Sequence, residues 1–310
     1  MLNLFYSALV LAVGFRVVKF LYRKLTSEEV KDVTKWGKWA VVTGATDGIG
    51  RAFAENFAQK GMSIVLVSRS QDKLEAVAKE IETKYHVSTK VIQADFSSLD
   101  EGMYKRIGKE PEAMEVGVLV NNVGVSYTHP EFFIDLKENH ENLYNDIVNV
   151  NITSTINMCR FVLPGMVSRG GGWIINMSSG LADIPAPMLT LYAASKAFIS
   201  KFSQDLGFEY KSKGIKVQWL KPGLVATSMS NIKKTSWFVP SASSYVKSAL
   251  NDLSMKDCSE GYFSHILVIR ATVLLSCLLP DFMAKKLMGI SISTRKKALK
   301  KCKSCSPSTD

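Results

Sequence analysis

The sequence predicts an α/β fold with a doubly wound parallel sheet, and three observations lead to this prediction. Six short apolar runs, most of them rich in Val and Ile, recur along the centre of the chain. Longer segments with the apolar spacing of amphipathic helices separate these runs. A glycine-rich turn follows the first run directly. Strands that alternate with helices in this way form a parallel sheet that is covered on both faces.

The apolar runs are the predicted strands, and the segments between them are the predicted helices. The strands are Trp39–Gly44, Ser63–Val67, Lys90–Ala94, Gly117–Val120, Trp173–Met177 and Lys216–Leu220. The most regular helices are Arg51–Lys60, Gln71–Tyr85, Leu143–Ser168 and Tyr192–Lys213. No internal repeat and no linker rich in Pro or Ser interrupts this alternation. We therefore predict one domain over residues 36–265.

The net charge of +11 is concentrated at the ends of the chain. Residues 1–26 contain four basic residues and no acidic one, and residues 283–310 contain eight basic residues and one acidic one. Residues 27–282 contain 27 basic and 27 acidic residues, which is not the profile of a domain with a basic face for nucleic acid. We therefore expect no nucleic-acid partner.

The five cysteines are too few for a disulfide framework, which favours a reducing compartment.

Residues 1–25 are predicted to be a membrane anchor. Residues 1–15 carry no charge, and four basic residues follow between Arg16 and Lys24. A cleaved signal peptide has the opposite order, so an uncleaved anchor fits better, and the positive-inside rule keeps the following domain in the cytosol. Fifteen uncharged residues are fewer than the roughly 20 that span a bilayer. The helix would either span with Arg16 and Lys19 snorkelling to the surface or lie partly in the interface.

The C-terminal segment allows two interpretations. Residues 266–294 begin with an apolar stretch that Arg270 interrupts, and residues 295–310 form a basic tail. The apolar segment is either a helix on a membrane surface, where basic residues attract anionic headgroups, or the last helix of the globular core. The tail also holds a Cys-x-x-Cys pair, but no second pair accompanies it, so no metal site is expected.

A dinucleotide site is predicted at the glycine-rich turn. Residues Thr43 to Gly50 read TGATDGIG, with a predicted strand before them and a helix after them. Glycines permit the tight turn, and the N-terminus of the helix favours a pyrophosphate. The spacing G-x-x-x-G-x-G resembles the short-chain dehydrogenase/reductase family, whose fold is Rossmann-type, and the resemblance extends over residues 36–265. It implies that the cofactor is bound by Gly44, Thr46, Asp47, Gly48, Ile49 and Gly50.

The predicted cofactor is NADPH or NADP. Enzymes that use NAD place an acidic residue on the ribose at the end of the second strand. This chain has Ser68 and Arg69 there, and a guanidinium suits the 2′-phosphate of NADP. The family resemblance implies further cofactor contacts near the ends of later strands, at Asp95, Asn122, Gly124, Pro222, Gly223 and Thr227.

Four residues match the catalytic tetrad of that family in order and approximate spacing. Tyr192 and Lys196 form a Y-x-x-x-K, which places both side chains on one face of a helix, where an ammonium at Lys196 would stabilise the Tyr192 phenolate. Ser179 ends the fifth predicted strand, and Asn151 lies upstream. The resemblance implies that Tyr192 is the general acid, that Ser179 binds the substrate carbonyl with it, and that Asn151 holds a water for proton relay. It also implies that Tyr192 and Lys196 contact the cofactor.

The predicted substrate is a large apolar ketone. The stretches Leu119–Gly124 and Gly223–Met229, together with the N-terminal anchor, resemble the membrane-bound branch that contains the 17β-hydroxysteroid dehydrogenases of types 3 and 12. The residues after this second stretch are apolar enough for an acyl chain or a sterol, and Lys233 and Lys234 suit the phosphates of coenzyme A. The resemblance implies reduction of a very-long-chain 3-oxoacyl-CoA to a 3-hydroxyacyl-CoA, as in fatty acid elongation, and the two lysines favour this substrate slightly. Steroid oxidoreduction is the alternative.

A second alternative is a catalytically weak nucleotide-binding interaction protein. The segments Trp237–Pro240 and Gly261–His265 resemble hydroxysteroid dehydrogenase-like protein 1, a relative that has lost the catalytic Tyr. This chain retains Tyr192, which argues against an inactive protein.

The anchor and the resemblance predict that the protein lies on the endoplasmic reticulum membrane, with the mitochondrial membrane as the alternative. They leave open whether it forms a homodimer.

Overall fold

The central element of the structure, a computed structural model, is a parallel sheet. The structure describes residues 32–305 except 99, 113, 139–141 and 254–255, and within them the sheet has seven strands. They are β1 (Trp39–Thr43), β2 (Ser63–Ser68), β3 (Thr89–Gln93), β4 (Val116–Asn121), β5 (Gly172–Met177), β6 (Ile215–Leu220) and β7 (Cys258–Ser259). The order is β3-β2-β1-β4-β5-β6-β7, so the chain extends the sheet first on one side of β1 and then on the other.

The six predicted strands are confirmed, and each end differs from its prediction by at most one residue. Strand β7 is not among the predicted strands. It has two residues, Cys258 and Ser259, which pair with Trp219 and Leu220 of β6. A strand of this length shows no periodicity, so only its pairing with β6 identifies it.

Helices lie on both faces of the sheet. They are α1 (Gly48–Gln59), α2 (Gln71–Tyr85), α3 (Glu101–Glu112), α4 (Leu143–Val148), α5 (Ser154–Ser168), α6 (Thr190–Tyr210), α7 (Ala242–Leu253), α8 (Phe263–Leu278) and α9 (Pro280–Cys305). A π-helical turn, Asn149–Thr153, joins α4 to α5. The predicted helix Leu143–Ser168 is therefore continuous but irregular in the middle, and π-turns of this kind are frequent at functional sites.

Hydrophobic side chains fill a separate core on each face of the sheet. Neighbouring strand residues point to opposite faces, so Val42 joins one core and Val41 joins the other. Helices α1, α2 and α7 cover the first core, where Trp173 and Tyr245 are fully buried. Helices α3, α5 and α6 cover the second core. The predicted doubly wound sheet is thereby confirmed.

The C-terminal segment forms two helices that pack on the domain. Ile269 of α8 is buried, and its Cδ1 atom occupies the space that a Cβ on Gly180 would need. In α9, Ser291 Oγ donates to the carbonyl of Pro187 at 3.0 Å. The predicted domain boundary between residues 265 and 266 falls inside α8, and the first residues of the predicted basic tail continue α9.

The opposite face of α8 carries exposed apolar side chains. Four apolar residues are exposed there: Phe263, Leu267, Leu274 and Leu278. Their spacing of four, seven and four residues places them on one side of the helix, where they form an exposed apolar stripe. No helix within the described ranges combines the length and the apolar character needed to cross a membrane. The predicted anchor at residues 1–25 lies outside the described residues.

Candidate active site

The predicted site residues come together at the carboxyl ends of the strands. Gly44 follows β1, Asn122 follows β4, and Ser179 and Pro222 each lie two residues beyond β5 and β6. In a parallel sheet these ends share one edge. The chain leaves β1 in one direction and β4 in the other, which makes their junction the switch point where doubly wound sheets bind ligands.

Backbone geometry explains the glycines of the turn after β1. Gly44 has a φ of +64°, in the left-handed region, and its N–H donates to the carbonyl of Val67 at 2.8 Å. At Gly50, a Cβ would overlap the carbonyl oxygen of Gly44, so no side chain fits there. The Asp47 carboxylate caps α1 by accepting the N–H of Gly48 at 2.7 Å. The turn and the N-terminus of α1 form a cradle that suits a pyrophosphate.

Asn122 braces this cradle. Its Nδ2 donates to the carbonyls of Thr43 at 3.0 Å and Gly44 at 3.3 Å, and its backbone N–H donates to Thr43 Oγ1 at 3.0 Å. These bonds hold the ends of β1 and β4 together at the switch point. Gly124 lies two residues further on, and a Cβ on it would lie 3.3 Å from Lys196 Nζ, so the loop after β4 also borders the predicted catalytic residues.

The end of β2 presents the residues predicted to select the cofactor. Ser68 Oγ lies 3.1 Å from Thr46 Oγ1, which ties β2 to the glycine turn. The Arg69 side chain is exposed. Asp95, after β3, keeps its carboxylate in a local turn, where it accepts the N–H and the O–H of Ser97 at 3.0 and 2.8 Å. An exposed guanidinium next to the cradle is suited to a phosphate.

The segment after β6 closes the other side of the site. The carbonyl of Pro222 accepts the N–H of Gly180 at 2.9 Å, directly beside Ser179. Thr227 reaches back to the glycine turn, and its Cγ2 atom would lie 3.1 Å from a Cβ on Gly48. The segment therefore connects Ser179 with the glycine cradle.

Asn151 lies in the π-turn and is fully engaged by its neighbours. Its Oδ1 accepts the N–H of Val125 at 2.8 Å, and its Nδ2 donates to the carbonyl of Val125 and to Ser195 Oγ, each at 3.0 Å. Ser195 Oγ in turn donates to the carbonyl of Tyr192 at 2.7 Å. Asn151 thus connects the β4 loop to the turn of α6 that carries Tyr192 and Lys196.

Lys196 is a buried ammonium with one backbone partner. Its Nζ donates to the carbonyl of Met177 at 3.0 Å and lies 5.8 Å from the centre of the Tyr192 ring. Burial disfavours the charged form and lowers the pKa of Lys196 to about 8. The side chain can therefore give up a proton close to neutral pH.

Tyr192 and Ser179 interact at the centre of the site. Burial raises the pKa of Tyr192, while the hydrogen bond with Ser179 acts in the opposite direction. Ser179 Oγ also accepts the N–H of Leu181 at 3.2 Å, which orients the hydroxyl. Burial is the larger of the two influences, so the pKa of Tyr192 lies above its ordinary value and the phenol is protonated at neutral pH. Stabilisation of the phenolate by Lys196 stays a prediction.

The geometry of this tetrad agrees with a comparison of the sequence with known families. The pattern of the short chain dehydrogenase family matches residues 38–236, a stretch that contains every predicted site residue. This chain belongs to the short-chain dehydrogenase family. The match ends before α7, so α7, β7, α8 and α9 all lie beyond the stretch that the family pattern covers.

Relatives of similar length share the domain. The chain is 47% identical over 267 residues to very-long-chain 3-oxoacyl-CoA reductase-B of Danio rerio, covering 86% of this chain and 84% of that protein. It is 46% identical over 268 residues to the very-long-chain 3-oxoacyl-CoA reductase of Mus musculus, with the same coverage of both chains. A short-chain dehydrogenase from Sphingobium yanoikuyae, solved in complex with NADPH, superimposes with a TM-score of 0.64 at 27% identity, covering 71% of this chain and 86% of that chain.

Two features beside the site were missed by sequence reasoning. His265 of α8 contacts the segment after β6, and Arg295 of α9 pairs with Glu131 at 2.5 Å. An isolated histidine in an apolar segment gives no functional signal, and Glu131 and Arg295 are 164 positions apart. No spacing rule connects residues at that distance, so only packing identifies the pair.

Proposed function

We propose that this protein is an NADPH-dependent ketoreductase that converts a very-long-chain 3-oxoacyl-CoA to the 3-hydroxyacyl-CoA. The observation that carries the proposal is the complete tetrad, assembled beside the glycine cradle in a chain that is 47% identical to a reductase of that name. An interaction protein would not require a buried Lys196 and a Tyr192–Ser179 hydrogen bond at the strand ends.

The site residues fit NADPH. The cradle leaves no room for a side chain at Gly50, as expected where a backbone closely approaches a pyrophosphate. The exposed Arg69 provides the positive charge for a 2′-phosphate, and Ser68 beside it can donate a hydrogen bond. No acidic residue takes the place that NAD enzymes use for the ribose hydroxyls. Bound there, NADPH supplies the hydride for the reduction.

The chain's own residues would bind the ketone and supply the proton. Ser179 and Tyr192 both present hydroxyls, so the carbonyl oxygen can accept a hydrogen bond from each, which orients it and stabilises the negative charge that develops. Tyr192 then donates its proton to that oxygen, and the Lys196 ammonium, 5.8 Å from the centre of the Tyr192 ring, is the nearby group that can replace it. The high pKa of Tyr192 suits an acid that must stay protonated until the hydride arrives.

The segment 228–240, which we call the substrate loop, carries both apolar and basic exposed side chains. Met229, Trp237 and Phe238 are exposed after Thr227, and Lys233 and Lys234 lie exposed between them. Exposed aromatic rings suit an acyl chain or a sterol, whereas two lysines suit the phosphates of coenzyme A. The acyl-CoA is therefore the preferred substrate.

We further propose that the protein sits on the endoplasmic reticulum membrane with its catalytic domain in the cytosol. Residues 1–25 would anchor it, and the exposed stripe of α8 would add contact with the bilayer. Trp237 packs against Phe263 of that stripe at 6.4 Å between ring centres, so the substrate loop and the stripe form one apolar surface. The mitochondrial membrane is the alternative location, and a homodimer is compatible with the exposed Ile156 and Phe198 on α5 and α6.

The test is an NADPH-oxidation assay on the purified chain with two substrate series. We expect the rate with 3-oxoacyl-CoA to rise with chain length, and the double variant Lys233→Glu/Lys234→Glu to raise KM for the CoA ester but not for a steroid. Efficient reduction of a 17-ketosteroid with no reduction of any acyl-CoA would establish the steroid alternative. Binding of NADPH without reduction of either substrate series would instead support the second alternative, a nucleotide-binding interaction protein.

A further inference from the structure

His265 of α8 makes two directed contacts with the segment after β6. Its Nδ1 accepts the N–H of Gly223 at 3.2 Å, and its Nε2 lies 3.0 Å from the carbonyl oxygen of Leu224. A backbone N–H can only donate, so Nδ1 must be the acceptor and Nε2 must carry the proton. The neutral imidazole therefore holds a donor and an acceptor of the same short segment.

The surroundings of His265 fix the ring in this position. The residue is only 3% exposed, and the rings of Tyr245 and Tyr262 lie 5.8 and 5.6 Å from it. The imidazole also approaches the backbone closely, since a Cβ on Gly223 would lie 3.0 Å from His265 Cδ2. A side chain at position 223 would therefore crowd the imidazole.

The segment that His265 holds is also tied to the catalytic serine. The Pro222 carbonyl accepts the N–H of Gly180, the residue after Ser179, and Ile269 of the same helix packs on Gly180. Because α8 contacts both loops, a shift of the segment would move the backbone beside Ser179. His265 therefore lies where the segment after β6, predicted to contact the cofactor, meets the backbone beside Ser179, predicted to bind the substrate.

We propose that His265 is a positioning residue for the nicotinamide end of the cofactor, acting through the backbone of Gly223 and Leu224. The proposal rests on the NADPH-dependent function given above. His265 does not touch the reacting atoms. It fixes the loop that borders them, and it comes from a helix beyond the stretch that the family pattern matches.

The experiment compares two ligands that share the adenosine phosphate end and differ at the nicotinamide. NADPH and 2′,5′-ADP are titrated against the full chain and the variant His265→Phe, which keeps a ring but loses both hydrogen bonds. We expect about tenfold weaker binding of NADPH, which corresponds to about 1.4 kcal/mol, since neither hydrogen bond would hold the loop any longer. Binding of 2′,5′-ADP should stay within about twofold, because its site at Arg69 and the cradle is untouched.

Two further variants keep the test decisive. His265→Asn can restore the acceptor for Gly223 alone, so it should weaken NADPH binding less, and it carries the test if the Phe variant does not fold. Arg270→Gln, on the same helix, breaks an ion pair with the buried Glu260 at 3.0 Å and serves as the control for general destabilisation. It should leave both ligands unaffected.

The outcomes separate this proposal from the proposed function. Equal weakening of NADPH and 2′,5′-ADP, or no weakening of either, would overturn the role of His265. A wild-type chain that binds NADPH but reduces no ketone would refute the ketoreductase assignment, while the comparison of His265 variants would still stand.

Discussion

The pKa values of Tyr192 and Lys196 move in opposite directions. Burial raises the first and lowers the second, to about 8 for Lys196. At neutral pH the phenol therefore keeps its proton, while the ammonium is close to losing its own. A reduction consumes one proton at the ketone. The reaction therefore requires an acid that is protonated at neutral pH and a neighbouring group that exchanges protons easily.

Replacing Tyr192 by Phe removes the proton donor without changing the shape of the ring. We expect turnover to fall by at least about a hundredfold, since general acid catalysis contributes that much or more. NADPH binding should change little, because Arg69 and the glycine cradle are untouched. Single-turnover absorbance measures the first quantity and a cofactor titration the second. Reduction at the normal rate would remove Tyr192 from its role.

The charge of Lys196 sets the alkaline limit of the reduction. The ammonium form predominates below its pKa of about 8, so the rate should be steady at lower pH and fall as the pH rises through that value. The measurement is kcat against pH at saturating NADPH. In Lys196→Arg, any remaining activity should persist to higher pH, because a guanidinium stays charged. A wild-type rate that does not fall between about pH 8 and 10 would contradict this assignment.

Arg69 should decide between NADPH and NADH. Loss of a charge-assisted contact of about 1.5 to 3 kcal/mol corresponds to roughly ten- to a hundredfold weaker NADPH binding in Arg69→Ala. NADH binding should be nearly unchanged. Lys73→Ala is a matched control, since Lys73 is an exposed cation on the following helix. If both variants weaken NADPH equally, general electrostatic attraction explains the preference and Arg69 has no specific role.

Among the elements, α9 is held by an ion pair between the buried Glu131 and the partly exposed Arg295. Glu131 is 3% exposed, accepts the N–H of Phe132 at 2.9 Å and pairs with Arg295 of α9 at 2.5 Å. Burial alone would raise the pKa of this carboxyl, but the bonds from Arg295 and Phe132 lower it. Glu131 also bonds through its N–H to the carbonyl of Met188 at 2.9 Å. The pair therefore connects α9 to the loops after β4 and β5, which border the site.

Breaking this pair from the Arg295 side should destabilise the protein. Arg295→Ala leaves the buried Glu131 carboxylate without its partner, so we expect a lower free energy of unfolding, by less than for a fully buried pair because Arg295 is partly exposed. The double variant with Glu131→Gln should recover part of that loss. Lys296→Ala, at the exposed neighbouring position, is the control. An Arg295→Ala variant as stable as Lys296→Ala would show that α9 is held by other contacts.

The same pair gives a pH dependence with a defined sign. The folded pKa of Glu131 lies below its usual value of 4.5, so the carboxylate stabilises the fold above that value and loses its contribution as the pH falls through the lowered pKa. Thermal unfolding measured from pH 7 downward should show a steeper decline for the wild type than for Glu131→Gln. Parallel curves for the two proteins would contradict it.

For the whole molecule, the apolar stripe of α8 and the substrate loop lie on one surface. Residues 1–25 precede the first described residue, Asp32, and are not part of the described core. Deleting them should release much of the protein from carbonate-washed membranes without unfolding the domain. Adding Leu274→Gln and Leu278→Gln, two exposed positions, should release the remainder. Full retention of the truncated chain with both glutamines would show that neither segment holds it there.

The sequence by itself determined the strands, the glycine turn and the tetrad. Gly44 and Ser179 follow recognisable strands, and Tyr192 lies four positions before Lys196, whereas Asn151 is assigned through the resemblance to the short-chain dehydrogenase family. Parallel strands align their carboxyl ends, so placing a residue after a strand is enough to place it at the site. For that reason, residues from separate segments of the chain can be assigned to one site by their positions along the sequence.

Only the tertiary structure decided the remaining features. Strand β7 exists because β6 offers it an edge, and the π-turn at Asn151 is stabilised by contacts with Val125 and Ser195. His265 reaches Gly223 from a helix 42 positions away in the chain. Such contacts depend on how helices pack against loops, and packing depends on the shape and volume of every neighbour together. Local sequence carries no record of that shape, so residues that position others became visible only in the folded protein.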